Sequence, residues 1–136
     1  MNKQLEEFSA FAPIFYESVK SFPDFCLSPP LDEESLTELE KKHAFQLPVE
    51  LKKLFKISSA INMNGLSLDA LKMGSIRLPE SDALIIAYFY LYNAADRLLL
   101  LPGDPSIYYL EQHNGAITKL AASARDFLEK TLPKYL

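Results

Sequence analysis

The chain is poor in the residues on which catalytic and cofactor sites are most often built. It holds one cysteine, Cys26, two histidines, His43 and His113, four glycines and no tryptophan. A single cysteine excludes an internal disulfide and fits a reducing compartment, where a lone thiol more often packs as a small hydrophobe than reacts. Four glycines leave little for a phosphate cradle, and neither a Gly-x-Ser-x-Gly elbow nor a phosphate loop occurs. No apolar run reaches the roughly eighteen residues of a membrane helix. The opening Met1-Asn2-Lys3-Gln4-Leu5-Glu6-Glu7-Phe8 places acids where a secretory leader needs a basic start and an apolar run. These absences lead to the expectation of an unexported, soluble, cytoplasmic protein with no membrane attachment. A basic excess is missing too, since fourteen Lys and Arg stand against eighteen Asp and Glu, with a pI near 5.2. A nucleic-acid binder would need a basic face, so that class is set aside.

What is present is apolar and ordered. At 136 residues and 49% hydrophobic content the chain has enough material for one continuous core, and residues 1–136 are read as a single domain. Charge is unevenly spread: residues 1–40 carry nine acids and two bases, 41–56 one acid and five bases, and 57–136 eight acids and seven bases. Leu84 to Tyr92 is the most strand-like stretch, with Leu84, Ile86, Tyr88, Tyr90 and Tyr92 expected on one face and Ile85, Ala87, Phe89 and Leu91 on the other. Neither face is polar. The tyrosines form a candidate contact surface, because tyrosine accepts both a dry and a wet neighbour, but taken alone the stretch favours the plainer reading, that they are the outer half of a core.

Helices are expected first. Leu5, Phe8, Ala12, Phe15 and Val19 fall at helical spacing, and Pro13 either kinks one helix or opens a second. Phe22 to Leu31, with three prolines, reads as an irregular connection. Asp32 to Phe45 has an acidic first turn behind an Asp N-cap and a basic last turn, and Pro48 opens a further helix to about Ile57. Ser58 to Leu68 is expected to end that helix, with a turn at Asn64-Gly65. Strands then follow at Ser75 to Leu78, Leu84 to Tyr92, Arg97 to Leu101, Ser106 to Gln112 and Ala116 to Leu120, with Asn114-Gly115 as a tight hairpin pair. Ser123 to Leu132 closes the chain as a helix. The order gives an α+β domain with N-terminal helices, an antiparallel meander and a C-terminal helix.

Possible chemistry is sparse. Glu40 and His43 have the spacing of a helical metal pair, but no second pair accompanies them and Lys41 and Lys42 oppose a cation. His113 and Glu111 lie near a turn, and Ser123 and Asp126 are already explained by helix capping. No metal, cofactor or catalytic residue is expected.

The order Leu31-Asp32-Glu33-Glu34-Ser35-Leu36, Leu39-Glu40, Phe45-Gln46-Leu47-Pro48, Leu51, Leu54-Phe55 and Asn64-Gly65 resembles the opening motif of the SUKH superfamily, which includes a yeast cell-wall assembly regulator and many bacterial immunity proteins. Ile107-Tyr108-Tyr109-Leu110, the hairpin after it and Ser123-Ala124-Arg125-Asp126-Phe127-Leu128 look like that family's last strands and closing helix. Against that pattern Ser58 to Met63 stands as an insertion. The resemblance implies a non-enzymatic, protein-binding α+β domain, either an immunity protein that neutralises a toxin, often a nuclease, or a regulatory adaptor. The acidic balance suits a basic protein partner. Tyr88, Tyr90 and Tyr92 are then the expected anchors, with Asp96 and Asp104 on adjoining turns supplying charge, in a monomer or homodimer.

Overall fold

The computed structural model describes residues 2–63, 65–89 and 95–135. Helices lead the chain, as their spacing requires. Helix α1 (Lys3–Phe11) is capped by the Asn2 side chain, and α2 (Pro13–Val19) begins at the proline, so Pro13 opens a second helix instead of kinking the first. Helix α3 (Glu33–His43) starts where Asp32 accepts from the Ser35 amide and stops at Ala44, whose φ of 49° is left-handed. Helix α4 (Val49–Ile57) follows Pro48. A composite helix closes the fold: α5 (Ala124–Asp126), capped by Ser123, runs on as a π turn (Phe127–Thr131) and a 3-10 turn (Leu132–Tyr135).

Between them lies one antiparallel sheet of eight strands: β1 (Cys26–Leu27), β2 (Ala60–Met63), β3 (Leu66–Asp69), β4 (Gly74–Arg77), β5 (Asp82–Phe89), β6 (Arg97–Leu100), β7 (Ile107–Leu110) and β8 (Ile117–Ala121). The order is β1-β2-β3-β5-β6-β7-β8, and β4 pairs with the first half of β5 where β3 pairs with the second. The fold class is therefore α+β, as expected.

Three strands depart from expectation. The segment from Ser58 to Leu68, expected only to end helix α4 and turn, holds two strands: Ala60–Met63 forms β2, and Leu66–Asp69 returns beside it as β3. The proline-rich connection supplies β1, which pairs Cys26 with Asn62 and Leu27 with Ile61. Asn64 lies outside the described residues, but Gly65 has the positive φ of 91° that a tight reversal favours. At the β7–β8 turn only Gly115 has positive φ, and the Glu111 and Ala116 backbones pair across a longer loop, so Asn114-Gly115 is not the central pair of a two-residue hairpin.

All helices pack on one side of the sheet. Phe8, Phe15, Leu36, Leu51, Leu54, Phe55, Phe127 and Leu128 enclose the inward strand residues Ile61, Leu68, Leu84, Ile86, Ala87, Phe89, Leu98, Ile107 and Tyr109. A second, smaller cluster, Ala83, Leu99 and Leu110 with Ile76, Leu78, Ile85, Leu101 and Tyr108 packed against it, contains no helical residue. This second cluster marks the outer face.

Candidate functional site

Which side chains reach the outer face is decided by one irregularity in β5. Ile85 pairs with Leu99 and Ala87 with Leu98, so the register shifts at Ile86. The bulge sends Ile86 and Ala87, consecutive residues, both toward the helices. Strict alternation would have grouped Tyr88 with Leu84 and Ile86. Instead Tyr88 shares the outer face with Ala83 and Ile85, while Leu84 and Ile86 are core.

Register then builds a row across that face. Cys26 pairs with Asn62, Asn62 with Ser67, Ser67 with Tyr88, Tyr88 with Arg97, Arg97 with Leu110 and Leu110 with Ile117. Asn62 and Ser67 satisfy each other, the serine hydroxyl donating to the Asn62 Oδ1 at 2.9 Å. Tyr88, 39% exposed, lies under the Arg97 guanidinium, whose central carbon is 5.7 Å from the ring centroid. Ile117 at the far end is equally exposed. One row further along, Tyr108 pairs with Leu99 and with Lys119. An aromatic, a stacked arginine and one exposed aliphatic, Ile117, over a buried apolar cluster on a face without helical residues make a composition typical of interface cores.

The expected site residues are only partly brought together here. Tyr88 is on the face. Tyr90 and Tyr92 lie outside the described residues. Asp96 supplies no surface charge, which corrects the expectation: it is fully buried, its Oδ1 accepts from the Gln112 amide at 2.9 Å, and its Oδ2 accepts from the Tyr109 hydroxyl. A carboxylate next to two buried donors turns inward even on a turn. Asp104 stands at the other end of β6, after a Leu101-Pro102-Gly103-Asp104 turn. Its carboxylate accepts from Tyr108 Oη at 2.6 Å and from the Ser106 amide at 2.9 Å. The tyrosine hydroxyl first, then the Ser106 amide, hold the Asp104 carboxyl below the usual carboxylate range, and the same contact pushes the Tyr108 phenol up.

Sequence reasoning passed over Tyr108 and Arg97. The alternation in Ile107-Tyr108-Tyr109-Leu110 does separate Tyr108 from Tyr109, but which of the two faces outward follows only from pairing with β6.

Beside Asp104 a shallow groove of about 390 Å³ runs between Leu47–Glu50 and Gly103–Pro105. Its two carboxylates, Glu50 and Asp104, lack a third donor, and among the described residues no group of three or more His, Cys, Asp or Glu is placed to hold a metal. Glu40, half of the metal-spaced pair, instead accepts from the Leu47 amide at 2.7 Å and meets Lys52 at 3.3 Å. Ser123 Oγ accepts from the Asp126 amide as a helix cap. His113 is exposed in the β7–β8 loop, and no hydrogen bond links its side chain to Glu111. Among the described residues no helix is long and apolar enough to cross a membrane. No family model matches the chain, and no curated protein matches it.

Proposed function

We propose that this chain is a non-enzymatic protein-binding domain of the immunity type, which neutralises a cognate toxin, a nuclease being the leading class, by docking the outer face of its sheet on that protein. The observation that carries the reading is the helix-free face on which Tyr88 and Arg97 stack between Ser67 and Leu110. A sheet face without a helical layer, bearing tyrosine and arginine at its centre, has the composition of a docking surface. The SUKH-like order of motifs from Leu31 to Gly65 supports the same reading.

Charge assigns the other face a different task. Seven of the nine acids in residues 1–40 lie on α1, α2 and α3, namely Glu6, Glu7, Glu17, Glu33, Glu34, Glu38 and Glu40. Against them α1–α3 carry three lysines, Lys3, Lys41 and Lys42. The acidic excess thus sits on these three helices and not on α4, and it acts at long range, steering a basic partner, while contact is made by the sheet.

The test is a pull-down from the source cell with the purified chain, in parallel with a Tyr88→Asp variant of unchanged thermal stability. One retained protein carrying a nuclease-like domain, inhibited by the chain and lost on Tyr88→Asp, is the expected result. Equal retention by both baits would overturn the assignment of this face. Recovery of the bait alone, with a homodimer in solution broken by Tyr88→Asp, would favour a self-associating regulatory adaptor.

A further inference from the structure

Arg97 is the outer face's unspent binding group. It is half-buried, paired with Leu110 on one side and with Tyr88 on the other, yet no hydrogen bond or ion pair joins it to a carboxylate among the described residues. Its Nε is enclosed without a hydrogen-bond partner, and among the described residues no acceptor takes a hydrogen bond from either Nη atom. The neighbouring polar groups are already occupied. Asn62 and Ser67 bond each other, Asp69 at the end of β3 accepts from the Leu71 amide, and Lys119 lies in the field of Asp104. A guanidinium is charged at every accessible pH and is costly to bury unpaired. Stacking on Tyr88 returns a part of that cost, and leaves the donors free.

We infer that the docking partner presents an Asp or Glu side chain to the Nη atoms of Arg97, so that this face takes a protein segment in which one carboxylate is flanked by apolar residues. The inference rests on the docking-face reading above and adds the partner's chemistry. The apolar flanks follow from Ile85 and Tyr108 on the next row and from Leu110 and Ile117 further along Arg97's own row. A phosphate track is a poorer fit, because a backbone-following groove needs several cations in line, and this face offers Arg97 with Lys119 two positions away on another strand. The charge at the contact is opposite to that of the molecule as a whole, which makes the complex selective: a partner drawn by the acidic helices must also carry one acid in the right place to seat.

A random peptide library displayed on phage, selected on the immobilised full chain, tests this directly. Selected peptides are measured by fluorescence anisotropy against wild type, Tyr88→Ala, Arg97→Lys and Arg97→Gln, each with a version in which the peptide's acids are replaced by their amides. The expected result is a set of Tyr88-dependent peptides containing Asp or Glu, whose amide versions bind wild type about tenfold or more weakly but bind Arg97→Gln no differently from the parent peptide. Arg97→Lys keeps charge without the fork and is expected to fall between. Tyr88-dependent peptides indifferent to the amide change would overturn the carboxylate inference and leave the docking face standing. Failure to recover any Tyr88-dependent peptide would overturn both.

Discussion

Asp96 shows how a carboxylate on a turn can be built into the framework and kept off the surface. It ties the start of β6 to the β7–β8 turn through Tyr109 and the Gln112 amide. Asp96→Ala strands both donors in a buried site, and a loss of about 2–4 kcal/mol in unfolding free energy is expected by urea denaturation. A midpoint equal to wild type would refute that role. Asp104 and Tyr108 give a pH-dependent counterpart. The Asp104 carboxyl is depressed in the fold, so its contribution is present above the ordinary carboxylate pKa near 4 and fades as pH falls through the lower folded value. The Tyr108 phenol is raised, so its contribution is present below about 10 and fades as pH rises through the higher folded value. The stability gap between wild type and Tyr108→Phe is therefore expected to be widest between the ordinary pKa values of about 4 and about 10, and to close at both ends. A gap independent of pH would remove the ionic character of the pair.

Among the elements, α2 has an unusual cap. Ala12 and Pro13 offer no side-chain acceptor, and the role passes to Glu129 from the closing helix, whose Oε2 and Oε1 accept from the Ile14 and Phe15 amides at 3.1 Å each. Glu129→Ala is expected to cost about 1–2 kcal/mol, read as faster amide exchange in α2 as well as a lower melting temperature. Unaltered exchange there would show the cap to be idle. At the end of α3, Ala44 occupies a left-handed position that glycine fills without strain. Ala44→Gly is expected to raise stability by about 0.5–1 kcal/mol in the same denaturation assay, and a loss would show that strain is absent. What was legible in the sequence follows the same physics. Helix α3 was readable because Asp32, Glu33 and Glu34 at one end and Lys41 to His43 at the other mark it locally. Strands β2 and β3 were not, because four residues each, with Asn62 and Ser67 outward, carry too little alternation. The Glu129 cap spans more than a hundred residues and leaves no local sign.

For the molecule as a whole, the α+β class was written in the change of period from helical to alternating, but the candidate site was legible only in part. Tyr88 could be singled out from composition, yet its neighbours depend on the bulge at Ile86 and on the β5–β6 register, which bring Arg97 beside it and turn Asp96 inward. Two faces result, a helical layer whose acidic excess lies on α1–α3 and a sheet face on which Arg97 stacks on Tyr88. The most direct measurement compares them by calorimetric titration for affinity and stopped-flow mixing for association rate, both with the recovered partner. One variant is Tyr88→Asp, and the other is Glu34→Gln combined with Glu38→Gln, both exposed on α3. If the sheet face is the contact, Tyr88→Asp weakens binding by about thirtyfold or more, while the α3 variant mainly slows association and flattens its salt dependence. The reverse pattern, with full affinity kept by Tyr88→Asp and lost by the α3 variant, would contradict the sheet face as the docking surface.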